Sequence, residues 1–209
     1  MSTAEIIRKH KQSKHLDKIA TELQRHLALE QAARQAFWAE AHEDTRAEWI
    51  MGRAVLHSPV KGRHFITLIN LMGIMIPHVQ ANRLGQLTVE STAVACGRND
   101  FMPDIAFWRE ERRGEIGMES SDFPAPDFVV EILSNSTEKL DRGLKMDGYA
   151  EAGVQEYWLV DPRNLSVEVY YPSDDGYLDL HQTYQGGVIE ARVIKDLQVP
   201  IKQVFAGID

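Results

Sequence analysis

Cysteine is nearly absent from this sequence, with Cys96 standing alone among 209 residues. A single cysteine excludes an internal disulfide and any zinc site built from several thiolates, and it favours the reducing cytoplasm as the location. Long apolar runs are also missing, and none approaches the roughly 18 residues that a membrane-spanning helix needs. Residues 1–18 are charged and lack the apolar stretch of a signal peptide. We therefore expect no export signal and no membrane partner.

A surplus of positive charge is missing as well. The chain has 23 Lys and Arg against 31 Asp and Glu, for a formal net charge of −8. This balance argues against a protein that coats nucleic acid, because such binding depends on Lys and Arg meeting phosphates. It leaves open an enzyme that acts on nucleic acid, since metal-binding carboxylates add negative charge and a local basic patch can coexist with a negative total.

Proline and glycine are absent from residues 1–42, and this segment is rich in helix formers. Leu16, Ile19, Leu23 and Leu27 recur at helical spacing and predict one apolar stripe. We divide the chain into a helical extension, 1–42, and a main domain, 43–209. The stripe is interpreted as packing on the main domain or on a second subunit, which makes a homodimer the expected assembly. A nucleic-acid-contacting arm is the alternative, because basic residues crowd the start of the segment.

The main domain reads as mixed α/β. A hairpin is predicted around Gly52, and a mostly buried helix over 63–83 in which Pro77 kinks or ends the helix. Strands are predicted over 87–95, 103–108, 128–133, 156–160 and 167–171. The helix expected between the third and fourth of these strands ends at Gly153. Such a strand–helix–strand unit predicts two parallel neighbouring strands joined by a right-handed crossover.

Two carboxylates interrupt or open apolar strands. Glu131 lies inside the apolar run 128–133, where an ionised carboxylate is costly unless a cation or several donors meet it. It either lies at the solvent edge of the strand or pairs with a Lys or Arg, or it binds a metal. Asp104 stands at the start of the preceding predicted strand, 103–108. Taken alone, an aspartate in this position is typical of a turn. Together they are the ligands that Mg²⁺ prefers, so we predict a Mg²⁺ site, with Mn²⁺ as a substitute, from Asp104, Glu131 and the backbone carbonyl of Ile132.

Lys145 follows on the next predicted helix. Asp141, Lys145 and Tyr149 are spaced by four and share one face. One interpretation is a surface pair between Asp141 and Lys145, worth only a few tenths of a kcal/mol. The other is a lysine that orients or activates an attacking water and offsets charge on a phosphate.

These residues stand in an order that resembles the Uma-two family, restriction endonuclease-like proteins within the PD-(D/E)XK nuclease superfamily. The resemblance rests on Pro103-Asp104, on 126–134 with Glu131, on Asp141, Lys145 and Tyr149, and on 153–162. An earlier stretch also fits, with Glu48 before Gly52, then Ser58-Pro59, then His64 at a helix start. The resemblance extends from Glu48 to Phe205 and leaves out the helical extension.

The resemblance implies a restriction-endonuclease-like core, a central mixed sheet flanked by helices. It implies that Asp104 is the motif aspartate and Glu131 the motif acidic residue. It also implies that Glu48 is an additional acidic residue, for a second metal or for water; a half-exposed hairpin residue is the alternative. The superfamily lysine normally stands two residues after the acidic residue, where this chain has Leu133. Lys145 on the following helix is the natural replacement.

The hypothesis is therefore a Mg²⁺-dependent endonuclease that hydrolyses phosphodiester bonds in DNA, with Asp104, Glu131, Lys145 and Glu48 as the catalytic set. The alternative is a catalytically silent binding or assembly module that keeps the nuclease fold; Leu133, the negative net charge and the helical extension all allow it. His64 is interpreted as a capping or packing residue, with a phosphate contact as the alternative. Cys96 is expected to pack in or beside a strand.

Overall fold

We describe the protein from a computed structural model, which defines residues 3–42, 45–56, 59, 61–90, 92–117 and 122–208. Glu43 at the predicted domain boundary, Ser58 of the Ser58-Pro59 pair and the terminal Asp209 lie outside these described residues. The boundary between the helical extension and the main domain stays a prediction.

The helices precede the first strand, connect strands of the sheets and follow the last strand. Their bounds are α1 Thr3–His10, α2 Leu16–Glu40, α3 Gly62–Asn82, α4 Glu138–Leu140, α5 Met146–Glu151 and α6 Ile201–Val204. A π-helical segment, Asp141–Lys145, joins α4 to α5, and a short 3-10 helix covers Glu110–Glu115.

The strands begin directly after the amino-terminal helices. Their bounds are β1 Ala47–Ile50, β2 Arg53–Leu56, β3 Gly85–Val89, β4 Ala93–Cys96, β5 Asn99–Phe101, β6 Ile105–Arg109, β7 Asp122–Pro124, β8 Phe128–Ile132, β9 Glu156–Asp161, β10 Ser166–Pro172, β11 Leu178–Tyr184, β12 Val188–Glu190 and β13 Gln198–Pro200.

A six-stranded sheet in the order β11-β10-β9-β8-β6-β3 forms the centre of the molecule. Strands β8 and β9 are parallel, and the other pairs in this sheet are antiparallel. The predicted parallel pair with a helical crossover is therefore confirmed, and so is the mixed α/β class. A five-stranded sheet, β2-β1-β5-β4-β7, lies in the same domain, and β12 pairs with β13.

The strand predicted over 87–95 is wrong as a single element. The chain forms β3 up to Val89, turns at Glu90, and then forms β4 in the other sheet. Glu90 has a φ of +35, in the left-handed region that side chains other than glycine rarely adopt. The predicted hairpin at Gly52 is confirmed: Met51 and Gly52 both have positive φ, as the tight turn between β1 and β2 requires.

Two apolar clusters cover the two faces of the central sheet, and strand β8 contributes to both because its side chains alternate. Phe128, Val130 and Ile132 belong to the cluster that includes α3, while Val129 and Leu133 belong to the cluster that includes Tyr149. Since Glu131 alternates with Val130 and Ile132, its side chain is directed to the face on which α5 packs.

Helix α3 is long and apolar enough to cross a membrane by length and composition alone. Its Leu68, Leu71, Met75 and Val79 are instead buried in the apolar core. The helix continues past Pro77 to Asn82, so the predicted helix is confirmed and proline does not end it. Cys96 is buried in β4, as predicted, and burial raises the pKa of its thiol to about 12.

Helix α2 is attached to the domain near its end. Arg34 and the indole N–H of Trp38 both donate to the carboxylate of Asp100, and Phe37 contacts Trp49 with ring centroids 5.6 Å apart. The predicted apolar stripe lies further toward the amino terminus. Its members are 36–58% exposed: Leu16, Ile19, Leu23 and Leu27.

Candidate active site

A cleft of about 870 Å³ opens where β6 begins, where β8 ends and where α3 begins. Its lining includes all four side chains of the predicted catalytic set: Glu48, Asp104, Glu131 and Lys145. They come from two sheets and one helical connection, far apart in the sequence. The fold therefore brings the predicted set to one place.

Lys145 lies at the base of this cleft, and its residue is 2% exposed. Its Nζ is 2.8 Å from Oε1 of Glu48 and donates to Oε1 of Glu131 at 3.0 Å. Oδ1 of Asp141 is 3.7 Å away. The interpretation of Lys145 as half of a surface pair is therefore wrong. The side chain is a buried ammonium among three carboxylates.

The π-helical segment explains how Lys145 reaches the strand. It lies between α4 and α5 and ends at Lys145. A π-helical turn widens the helix by one residue, is rare, and is frequently found at functional sites. Tyr149, four residues on, donates its hydroxyl to the same Oε1 of Glu131 at 2.7 Å. Two donors from one helical connection thus converge on one carboxylate oxygen of β8.

The charges at the base of the cleft do not balance. Glu48, Glu131 and Asp141 are 1–3% exposed, and one ammonium faces all three carboxyls. Burial alone would lower the pKa of Lys145, but Glu131 and Glu48 outweigh it and raise that pKa well above its ordinary value. Burial raises the pKa of Asp141 to about 6 against the opposing pull of Lys145. Burial likewise raises the pKa of Glu131 well above its ordinary value, so these carboxyls favour the protonated form unless a further cation offsets their charge.

Asp104 lies opposite Glu131 across two adjacent strands. Ile105 of β6 pairs with Val130 of β8 in an antiparallel ladder, so one further step along the same register sets Asp104 across from Glu131. Oδ2 of Asp104 accepts the backbone N–H of Ile132 at 2.5 Å. The sheet register therefore holds the two predicted metal ligands on the same end of the sheet.

His64 and Glu90 join Asp104 on its other side. Among the described residues, these three form a group in which one candidate ligand atom from each lies within 4.8 Å of the others. His64 Nε2 is 3.2 Å from Oδ1 of Asp104, and its Nδ1 is buried without a hydrogen-bond partner among the described residues. Glu48 and Glu131 are not in this group, because their carboxylates face Lys145.

Sequence reasoning missed Glu90 entirely. The pairing of β3 with β6 matches Val89 with Ile105 and so brings Glu90 beside Asp104, and no pattern in the sequence indicates this pairing. The backbone N–H of Glu90 donates to the carbonyl of Asp104 at 3.1 Å. The interpretation of His64 as a capping or packing residue did not anticipate that its ring nitrogen contacts Asp104.

Cations line the rim of the cleft: Arg46, Lys61, Arg63 and Arg163. Arg46 pairs with Glu90 at 3.1 Å, and Arg163 pairs with Asp161 at 2.9 Å and Glu138 at 2.8 Å. Lys61 and Arg63 are exposed and form no ion pair with any residue that the structure describes. A negative base beneath a positive rim is an arrangement that suits a phosphodiester accompanied by a cation.

Comparison with known proteins yields one family. The model of the Uma2 family, described as "putative restriction endonuclease", matches residues 24–202. The match begins inside α2, ahead of the stretch in which the sequence resemblance was seen.

Two individual proteins are also similar. An uncharacterized protein of Synechocystis sp., slr1290, is 44% identical over 52 residues, which are 24% of this chain and 27% of that protein. The match thus spans about a quarter of the length of this curated relative. A crystal structure of a "putative nuclease belonging to DUF820" from Anabaena variabilis superposes with a TM-score of 0.71 and 21% identity. It covers 83% of this chain and 97% of that chain, and shows the same fold.

Proposed function

The chain belongs to the Uma2 family, and on that basis we propose that it is a divalent-metal-dependent endonuclease that hydrolyses phosphodiester bonds in DNA. The observation that carries the proposal is the buried Lys145 ammonium held between Glu131 and Glu48, in the cleft that Asp104 also lines. DNA as the substrate follows from the family description of a restriction endonuclease.

Asp104 and Glu131 would hold Mg²⁺, or Mn²⁺ in its place, together with the backbone carbonyl of Ile132 and with Glu48 as a further acidic group. Three features of the structure support this donor set: the sheet register sets the two residues opposite each other on adjacent strands, both line one cleft, and several buried carboxyls beside them share one ammonium. All the donors are oxygens, as Mg²⁺ prefers. When bound, the cation supplies a Lewis acid that activates water and offsets charge on the scissile phosphate.

In this proposal Lys145 positions the attacking water and offsets negative charge on the phosphate. Its raised pKa keeps the amine protonated at neutral pH, so it donates protons in hydrogen bonds and does not accept one. Contacts to Glu131 and Glu48 hold the ammonium in the cleft, with Oδ1 of Asp141 3.7 Å away, and from there it would orient the attacking water or offset charge on a phosphate oxygen. In this proposal Lys145 takes the role of the lysine that the superfamily resemblance expects at the position of Leu133.

Lys61 and Arg63 bind the DNA backbone in this proposal. Both are exposed at the edge of the cleft, at the start of α3. Contacts of this kind position a duplex without reading its sequence. They also resolve the apparent conflict between a net charge of −8 and a nucleic-acid substrate, because the positive charge needed is local.

A cytoplasmic homodimer is part of the same proposal. The apolar stripe of α2 is exposed, and the attachment of the helix through Arg34 and Trp38 to Asp100 leaves that stripe accessible to a second copy. Size-exclusion chromatography with light scattering tests this. The full chain should elute as a dimer, and a chain that begins at residue 29, which keeps the Arg34 and Trp38 contacts, should elute as a monomer. Identical masses per particle would remove the homodimer from the proposal.

Cleavage of supercoiled plasmid in Mg²⁺ or Mn²⁺ tests the enzymatic proposal. The wild type should nick or linearise the plasmid, Glu131→Ala should not, and Glu151→Ala should match the wild type because Glu151 is exposed on α5 outside the cleft. If the wild type cuts no better than Glu131→Ala on any nucleic acid tried, the chain is the silent binding module instead. Mn²⁺ titration separates the two further, since a catalytic site should bind Mn²⁺ in a manner lost in Asp104→Asn.

A further inference from the structure

We propose that the amino-terminal segment 3–18, here called the basic arm, binds the phosphate backbone of DNA outside the cleft. The inference rests on the proposed function for the identity of the nucleic acid, and it deepens that function by adding a second surface that contacts the substrate. The basic arm precedes residues 24–202, which the family model matches. Membership of the family therefore assigns no role to it.

Positive charge is concentrated in the basic arm. Five cations stand within eleven residues there: Arg8, Lys9, Lys11, Lys14 and Lys18. Two carboxylates, Glu5 and Asp17, share the segment, whereas the whole chain has a formal net charge of −8. The basic arm is therefore a local region of positive charge on a negative molecule. Such an asymmetry is typical of a terminal arm that binds nucleic acid.

The cations of the basic arm are not used inside the protein. All five residues are exposed, and none of them forms an ion pair in the part of the chain that the structure describes. Cations further along α2 are used differently, since Arg25 pairs with Glu22 at 2.5 Å and Arg34 pairs with Asp100. The five cations therefore remain available to an external anion.

The basic arm lies beyond the attachment of α2 to the domain. Glu30 of α2 contacts Arg98 at 2.5 Å, whereas residues 16–29 of the same helix are all exposed. Lys18 precedes Glu30 by 12 residues, which is a rise of about 18 Å along the helix axis. The basic arm therefore stands clear of the domain and has room for a partner on its surface.

The cations and the apolar stripe of α2 use different faces of the helix. Lys18 is rotated by about 200° from Leu16 around the helix axis, so it faces away from the stripe. DNA bound to the basic arm therefore leaves the stripe accessible to the second copy of the proposed homodimer. The inference does not depend on whether that homodimer forms.

Helix α1 itself indicates a partner. It has eight residues, and residues 5–10 are all exposed. A helix this short is marginal in water unless it packs against something. Contacts from Arg8 and Lys9 to phosphates would supply the stabilisation that packing on the domain does not provide at these residues.

A DNA backbone fits the basic arm better than a lipid surface does. A helix that lies in a membrane interface needs a broad apolar face beside its cations, commonly with aromatic or leucine side chains. Helix α1 offers Ile6 and Ile7 and no aromatic residue. Phosphate contacts need only exposed cations, and Lys61 and Arg63 provide further cations of the same kind at the rim of the cleft.

Fluorescence anisotropy of a labelled DNA duplex of about 30 base pairs, roughly three helical turns, tests the inference on the full chain. The titration is done in EDTA, so that no metal-dependent cleavage takes place, over a series of potassium chloride concentrations. Each phosphate contact contributes about 0.9 to the slope of log K against log salt concentration. The arm variant Lys9→Gln/Lys11→Gln/Lys14→Gln should bind at least about tenfold more weakly than the wild type at about 0.1 M salt, and its slope should be smaller by about 2 to 3.

The matched control is the triple variant Lys139→Gln/Lys195→Gln/Lys202→Gln. It makes the same change in net charge at exposed residues that do not line the cleft. Its affinity for the duplex should match that of the wild type within about twofold, because salt screens charges that do not contact the duplex. Circular dichroism of both variants verifies that they are folded.

The binding readout separates this inference from the nuclease proposal. A wild type that binds the duplex through the basic arm but cuts no plasmid supports the inference and overturns the proposed activity. Unchanged affinity and slope in the arm variant overturn the inference alone, as does an equal loss in the control variant or a wild type that binds no duplex at low salt. If the arm variant instead loses binding to phosphatidylserine vesicles and keeps duplex binding, the basic arm belongs to a lipid surface and the inference is overturned.

Discussion

The ammonium of Lys145 donates to Oε1 of Glu131 at 3.0 Å, across the cleft between a helical connection and the central sheet. This contact places a lysine beside the acidic residue although the position two residues after Glu131 is Leu133. Lys145 reaches Glu131 from the following helical connection, 14 residues further along the chain. The π-helical segment that ends at Lys145 is the local feature that makes this geometry accessible.

Tyr149→Phe should destabilise the protein by about 1–3 kcal/mol, because Oε1 of Glu131 loses one of its donors in a buried site. Urea denaturation followed by circular dichroism measures the change. Tyr177→Phe is the matched control, since Tyr177 is 57% exposed, and it should lie within about 0.5 kcal/mol of the wild type. Equal free energies of unfolding for the two variants would show that the hydroxyl of Tyr149 does not support Glu131.

Gly148→Ala should also destabilise the protein, by about 1–3 kcal/mol, because the added Cβ would stand 2.6 Å from Cε2 of Phe101. This close approach packs α5 against β5 and so positions Tyr149. Gly143→Ala is the control on the same connection, since a Cβ there meets nothing within 4 Å. It should be neutral or slightly stabilising. Thermal unfolding of both variants checks this, and a stable Gly148→Ala would mean that α5 can move away from β5 at little cost.

Glu168 should make stability depend on pH at the acid end. Arg142 donates to both oxygens of Glu168, at 2.6 and 2.8 Å, and holds the pKa of that carboxyl below its ordinary 4.5. A lowered folded-state pKa gives stabilisation that is complete above the unfolded pKa and is lost as pH falls through the folded one.

Glu168→Gln should therefore cost about 1–3 kcal/mol at pH 7, and its deficit against the wild type should shrink below pH 4. Urea denaturation at pH 7 and at pH 3.5 measures the deficit. The exposed Glu151→Gln should show none at either pH. A deficit of the same size at both pH values would mean that the carboxylate charge of Glu168 is not what Arg142 recognises.

The sequence is informative where a polar residue breaks a regular pattern. Glu131 interrupts an apolar strand and Asp104 opens one, so both positions and the strands around them could be predicted. The contact of Glu48 with Lys145 could not be derived in this way, because it joins two sheets and depends on a π-helical turn that periodicity does not reveal. Only the family resemblance pointed to Glu48.

The sequence pattern predicted secondary structure least well between β3 and β5. The single strand predicted there divides at Glu90, because the backbone of this residue adopts a positive φ. The surrounding sequence does not predict this conformation. Glu90 and His64 meet Asp104 through the pairing of β3 with β6 and through the position of α3. These are relationships of tertiary structure, so the second group of candidate metal ligands was out of reach of a reading by spacing alone.

Placing a lysine at position 133 tests whether catalysis requires only an amine near Glu131, whichever element carries it. Leu133 lines the cleft and lies on the same side of β8 as Glu131. Leu133→Lys alone should destabilise the protein, because it adds a second ammonium to an apolar cluster. Combined with Lys145→Gln, it should recover part of the plasmid cleavage that Lys145→Gln loses. No recovery in a double variant that is folded by circular dichroism would show that the amine must come from the helix.

The most direct test of the central claim is the rate of plasmid cleavage by Lys145→Gln, measured beside Lys139→Gln. Lys139 lies on α4, is exposed and does not line the cleft. If Lys145 is the relocated lysine of the active site, Lys145→Gln should cut at least about 100-fold more slowly than the wild type, whereas Lys139→Gln should match it. A folded Lys145→Gln that cuts within about threefold of the wild type would contradict the account.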